Sequence, residues 1–211
     1  MEFIDISQIQ TDNKYLRLDT NVDMLKKSIE TVGIIHPLSL NDQNQLIAGG
    51  RRYTALKELG ITQVPFIRID KSEKEQELIS IDENLVRRDL NKLEMEEALS
   101  RGKELYEEIY PSAKKVEEED LTKPEDNEIQ TDLPNEQRSF IDITAEKTGL
   151  SKKVIKSAID REEKASDRVK EMRKLGDINA TVTNEIIKLP KDTQEHVADL
   201  IKGKSAKEVK E

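Results

Sequence analysis

The sequence predicts an α+β protein: a small mixed α/β N-terminal domain followed by an all-helical region. Three observations carry that reading. Over residues 1–70, short apolar runs alternate with stretches whose apolar residues fall at helical spacing. From residue 72 onward helix-capping pairs recur, Ser72 with Glu75 and Asn91 with Glu94, and strand-like runs give way to helical ones. Between them and a second helical stretch lies "PSAKKVEEEDLTKPEDNEIQTDLPNEQR" (111–138), with nine acidic residues, four basic residues, three prolines and no apolar periodicity. Such a composition predicts an exposed, disordered linker or insertion. The expected domains are therefore 1–90, a connecting helix 91–110, the acidic linker 111–138 and a helical domain 139–211.

Taken in order, "FIDI" (3–6) reads as a first strand. "NVDMLKKSIETVG" (21–33) places Val22, Leu25, Ile29 and Val32 on one helical face, with Gly33 as its stop. "PLSL" and "QLIA" are short strands on either side of a turn-rich stretch, which suits a hairpin. A helix over 51–59 ends at Gly60, and "VPFIRI" (64–69) is a further strand. Helices follow at 73–86 and 92–109. Beyond Ser139 the pattern is helical, and near the end Val197, Leu200 and Ile201 fall on one side of a helix after Pro190. That stripe reads as core or as a self-association face.

Composition narrows the function. The 211 residues carry a net charge of −9, with 37% charged and 35% apolar residues. The acidic stretch alone holds −5, so the rest of the chain is nearer balance, and local basic patches decide whether nucleic acid can bind. Cysteine is absent, which excludes disulfides, thiolate metal sites and thiol nucleophiles. His36 and His196 are far apart, which argues against a histidine metal centre, and His36 before Pro37 reads as a loop residue. No long apolar run suggests a membrane span, and "MEFIDISQIQ" lacks the regions of a signal peptide, so a cytoplasmic protein is expected.

Three constellations could carry chemistry. In "LIAGGRRYTALKELG" (46–60) a strand, a Gly–Gly turn and a helix start leave backbone N–H groups free at the positive end of a helix dipole. Arg51 and Arg52 lie in the first helical turn, where the dipole disfavours cations unless an anion compensates them. Guanidinium suits phosphate. A solvated basic turn is the plainer reading of the same residues. In "ENLVRRDLNKLE" (83–94), Glu83 and Asn84 offer oxygen ligands of the kind Mg²⁺ prefers, and Arg87 shares a helical face with Glu83. An exposed Glu–Arg pair is the alternative there. In "IDITAEKTGLSKKVIKSAID" (141–160), Ala145, Gly149 and Ile155 occupy the small, turn and apolar positions of a helix-turn-helix. Ser151 would cap its second helix, setting Lys152, Lys153 and Lys156 along it for DNA. A helical hairpin with a solvated lysine face is the rival.

Taken together and in this order, these segments resemble the ParB family of bacterial DNA-partition proteins. The resemblance rests on "SIETVGIIHPLSL", "LIAGGRRYTALKELGITQVPFI" and "ENLVRRDLNKLEMEEAL", with weaker counterparts in the helix-turn-helix and "INATVTNEIIKLP". It implies a ParB/sulfiredoxin-like N-terminal fold and a CTP/Mg²⁺ pocket that switches DNA engagement. On the matching positions, Gly49, Gly50, Arg51, Arg52 and Arg87 would bind the nucleotide, and Glu83 and Asn84 the Mg²⁺. Double-stranded DNA, a ParA-type ATPase and a second copy, held in a nucleotide-dependent dimer, are the implied partners. Plasmid or mobile-element maintenance is the implied setting.

The chain departs from the family pattern at Gly50, where many relatives carry a Glu linked to hydrolysis; binding with weak or no CTPase turnover is therefore expected. Asn41 stands where relatives often have Arg, and no C-terminal dimerisation domain is evident, so the resemblance does not by itself imply a permanent dimer. Sulfiredoxin chemistry is excluded by the missing cysteine. Two rivals stay open: a DNA-binding adaptor with a degenerate pocket, and a metal-dependent nuclease on the same fold.

Overall fold

The computed structural model of the chain describes residues 2–13, 16, 18, 21–87, 90–113, 134 and 138–210, the side chains of Arg87 and Lys210 excepted. It divides into two compact units, Met1–Asn84 and Leu85–Glu211. The boundary falls inside a helix, a few residues before the end of the predicted first domain.

The first unit is the mixed one. It contains β1 (Glu2–Asp5), α1 (Asp23–Val32), β2 (Leu38–Leu40), β3 (Leu46–Ala48), α2 (Gly50–Glu58), β4 (Gln63–Arg68) and most of α3 (Glu73–Arg87). The sheet order is β1-β4-β2-β3, with β2 parallel to β4 and the other pairs antiparallel. The hairpin between β2 and β3 is built by asparagine. The Asn41 side-chain oxygen accepts from the backbone N–H of Gln43 (3.0 Å) and Gln45 (2.9 Å), and Asn44 takes a left-handed φ of 61°. Asn41 is thereby explained as a turn residue. Leu38, Leu40, Leu46, Leu56 and Val64 are fully buried, with Val22 and Ile29 of the α1 face packed beside them. Val32, predicted on that face, is instead exposed at the last residue of the helix, before the Gly33 cap, and Ile29 is the buried residue within α1.

The second unit is helical. α4 (Lys92–Ile109) opens on a complete capping box: the Asn91 side chain accepts from Leu93 and Glu94 N–H, and Glu94 accepts from Asn91 N–H. It packs against α5 (Phe140–Thr148) and α6 (Lys152–Lys164). The described ends of the predicted linker belong to this unit: Ala113 is buried in a helical turn, and buried Arg138 reaches Glu146 at 2.6 Å. The remainder of the predicted acidic linker, 114–133 and 135–137, lies outside the described residues. Four further helices follow: α7 (Asp167–Lys174), α8 (Ala180–Ile186), α9 (Lys191–Ile201) and α10 (Ala206–Lys210). Val169, Met172, Val182, Ile186, Ala198 and Ile201 form their core. The buried face of α9 is Gln194, Ala198 and Ile201, at four- and three-residue steps. Leu200, placed by sequence on the apolar side, points to solvent. Gln194 is buried because its amide ties the chain together, accepting from Ser166 N–H (2.8 Å) and donating to the Lys164 and Leu189 carbonyls (2.9 Å each).

Candidate nucleotide and DNA sites

In the first unit, β3 runs directly into α2 through Gly49, the N-cap, whose φ of 101° and ψ of 27° are left-handed. Glycine is needed there for a second reason. A Cβ at 49 would lie 3.0 Å from an Arg52 guanidinium nitrogen and 3.1 Å from a Leu38 methyl. Gly50 is the first helical residue and lies in ordinary helical backbone. Arg51 and Arg52 occupy the first turn of α2, as the sequence predicts, and neither guanidinium is left to solvent alone. Arg51 donates to the Asn21 carbonyl at 3.4 Å. Arg52 donates to the carbonyls of His36 (2.9 Å) and Pro37, clamping the segment that enters β2. His36 is accordingly a loop residue that contributes a backbone acceptor.

α3 lies alongside the β3–α2 junction and is fixed there by a buried serine. The Ser80 hydroxyl donates to the Ile47 carbonyl at 2.7 Å and accepts from the Asn13 amide at 2.9 Å. About one helical turn further on comes Glu83. Its two carboxylate oxygens accept from the Gly49 backbone N–H at 3.2 and 3.3 Å. The two motifs, 34 residues apart, therefore meet at one N–H group. A carboxylate at the N-terminus of α2 offsets both the helix dipole and the two arginines of the first turn. Asn84, next on α3, is buried. Arg87 closes α3, and its side chain lies outside the described residues.

Glu83 brings a carboxylate to the N-terminus of α2, and Asn84, the next residue of α3, carries a side-chain oxygen. That donor set fits Mg²⁺, which keeps few protein ligands and takes the rest from phosphate and water. Among the described residues, no group of three or more His, Asp or Glu is placed to hold a metal ion by protein ligands alone.

The second unit brings the other predicted residues together. α5 and α6 pack against each other across a three-residue turn, with Gly149 left-handed (φ 69°, ψ 14°). Ala145 and Ile155 are buried where the helices meet, and the Ser151 hydroxyl accepts from Val154 N–H at 3.3 Å as the cap of α6. Lys153 and Lys156 are exposed. Lys152 is half-buried, and its ammonium meets Asp142 of α5 at 2.5 Å, so it also braces the two helices.

One cluster escapes sequence reasoning. Glu96 of α4 is 1% exposed and meets two arginines. Arg161 of α6 approaches it at 2.7 Å through both Nε and a terminal nitrogen, and Arg173 of α7 donates to both of its carboxylate oxygens, to one of them at 3.1 Å. Arg161 also donates to the Asn184 side chain at 2.9 Å, so four helices share one buried charge cluster. The available signal was periodicity: Glu96 lies on the apolar stripe of α4 with Leu99 and Tyr106. Its partners, 65 and 77 residues away, have no local signature.

Residues 1–85 match the model of the ParB N-terminal domain. A nucleoid occlusion protein of Lysinibacillus sphaericus is 37% identical over 93 residues, 42% of this chain and 31% of that protein. A probable plasmid-partitioning protein ParB of Thermus thermophilus is 39% identical over 77 residues, 35% and 26% of the two chains. A probable chromosome-partitioning protein ParB of Rickettsia bellii is 32% identical over 122 residues, 56% and 41%. The matched region thus spans well under half the length of these curated relatives. In fold, the chain is similar to the C-terminally truncated chromosome-partitioning protein ParB from Caulobacter crescentus, solved in complex with the centromeric parS site. The TM-score is 0.51 at 18% identity, over 99% of this chain and 96% of that one. The Pnob8-like ParB-N domain gives 0.50 at 20% identity, over 91% and 81%. No described helix is long and apolar enough to cross a membrane. Residues 1–85 of this chain are a ParB N-terminal domain.

Proposed function

We propose that the chain is a DNA-binding protein of the partition and nucleoid-occlusion kind, with a CTP/Mg²⁺ pocket that switches its engagement of DNA. The observation that carries the pocket is the meeting of Gly49 N–H with Glu83, which puts the phosphate-type turn and the metal-type carboxylate in one place. The amides of Gly49 and of the first turn of α2 would donate to phosphate oxygens. Arg51 and Arg52 would neutralise them, Glu83 and Asn84 would hold Mg²⁺, and Arg87 would reach a further phosphate oxygen. The metal's part, when bound, is to neutralise neighbouring phosphates. Gly50 offers no carboxylate, so this pocket binds without appreciable turnover.

DNA engagement would fall to the α5–α6 pair. The α6 N-terminus, capped by Ser151, would enter the major groove, with Lys153 and Lys156 on phosphates or base edges and Lys152 positioned through Asp142. The Caulobacter relative's complex with parS supports duplex DNA as the partner class. A nucleotide-dependent homodimer and a ParA-type ATPase are the further partners of this reading, and plasmid or mobile-element maintenance its setting. Calorimetry with CTP, ATP and GTP, each with and without Mg²⁺ and DNA, tests it. CTP·Mg²⁺ should bind, and Arg51→Ala should weaken it by about ten- to a hundredfold, the worth of a charge-assisted hydrogen bond.

A second reading has its own observation. Glu83 already satisfies Gly49, and Arg52 already satisfies two carbonyls, so the turn is complete without a ligand. A DNA-binding adaptor with a degenerate pocket would look the same. DNA binding indifferent to millimolar CTP selects it.

A further inference from the structure

We propose that Glu83 is an internal stand-in for the phosphate: its carboxylate keeps the cradle closed to nucleotide until a metal ion is present to receive it. The proposal rests on the nucleotide reading above and adds to it an order of events. Both carboxylate oxygens lean on the one Gly49 N–H, at 3.2 and 3.3 Å, at the positive end of α2. A phosphate oxygen that takes this N–H must displace them, and then two anions share the α2 N-terminus. Without a cation the displaced carboxylate opposes the phosphate as a like charge. With one, the same carboxylate becomes a ligand. The Ser80–Ile47 bond ties α3 to β3 about one turn before Glu83, so the exchange is a change at the Glu83 side chain. One residue thereby makes metal and nucleotide binding mutually dependent.

Calorimetry with CTP in EDTA and CTP with Mg²⁺ tests this in wild type, Glu83→Gln, Glu83→Ala and Asp82→Asn. In EDTA, both Glu83 variants should bind CTP about five- to tenfold more tightly than wild type, the scale of one charge at a helix N-terminus. Their gain on adding Mg²⁺ should shrink or vanish. Asp82→Asn removes the same charge one residue away and should leave the metal dependence as in wild type. The Gly49 amide gives a readout without nucleotide: its hydrogen exchange should quicken in Glu83→Ala. If wild type binds CTP·Mg²⁺ but the Glu83 variants bind metal-free CTP no better than wild type, the stand-in is wrong and the pocket stands. If Asp82→Asn mimics them, the effect is general charge and the proposal is overturned. If wild type binds no nucleotide under either condition, both the proposal and the pocket fail.

Discussion

Replacing Gly49 by alanine should be the most costly single-methyl change in the first unit, and its cost can be built from two parts. The first is backbone: at φ 101° an L-residue pays about 1–2 kcal/mol for left-handed geometry. The second is steric. The new Cβ would meet the Arg52 guanidinium at 3.0 Å and Leu38 at 3.1 Å. Leu38 is fully buried, so Arg52 is the group that must give, and it gives by loosening its bonds to the His36 and Pro37 carbonyls. Losing a charged hydrogen bond there costs about 1.5–3 kcal/mol, so the sum is about 2.5–5 kcal/mol if the bond breaks outright and less if it stretches. Gly60 supplies the comparison. It is also left-handed, φ 69°, yet a Cβ there meets nothing within 4 Å, so Gly60→Ala should cost only the backbone part, about 1–2 kcal/mol. Urea denaturation, read through hydrogen exchange of amides in residues 38–48, measures both. Equal costs for the two substitutions would refute the account of Arg52 as a clamp.

Other outcomes follow from the same geometry. Glu96→Ala leaves two arginines buried without their carboxylate and should cost about 3–5 kcal/mol in thermal or urea melts of the second unit, whereas a hydrophobic triple replacement of Glu96, Arg161 and Arg173 should be near neutral. The backbone N–H of Ser72, the Lys71 ammonium and the Ser72 hydroxyl hold the Glu75 carboxyl down to about 2. Because the folded value is depressed, its contribution to the start of α3 is present above the unfolded value and lost as pH falls through about 2. A carboxyl NMR titration with its midpoint near the ordinary glutamate value would contradict this. On DNA, Lys153→Ala and Lys156→Ala should each reduce the salt slope of binding by about 0.9 for every phosphate that is no longer neutralised, and an unchanged slope would remove those lysines from the interface.

What was legible in the sequence was local. The Asn91–Glu94 capping box, the asparagine-built hairpin at 41–45 and the Gly149 turn each act within a few residues, and the structure contains all three. Periodicity marked which residues could face a core but not where the core ends. Val32 and Leu200 sit at the margins of their apolar stripes and are exposed, whereas Ile29 and Ile201 on the same helices are buried. The pair Gly49–Gly50 signalled a tight turn, but only the path from β3 into α2 decides that Gly49 bears the positive φ. The arginines of the first turn left an anion cradle and a solvated basic turn both open, and the fold brings the Glu83 carboxylate to the Gly49 N–H at the start of that helix. That Glu83 reaches Gly49 depends on Ser80 anchoring α3 to Ile47, a bond between residues 33 apart that no local pattern encodes. The Glu96 cluster was hidden for the same reason.

The central claim is that the Gly49–Arg52 turn and Glu83 form a nucleotide–metal pocket. Titration of the wild-type chain with CTP in the presence of Mg²⁺, followed by calorimetry, tests it most directly. Saturable binding that Arg51→Ala weakens by about tenfold or more is the predicted result, the scale of one charge-assisted hydrogen bond; no heat of binding at millimolar CTP would contradict it.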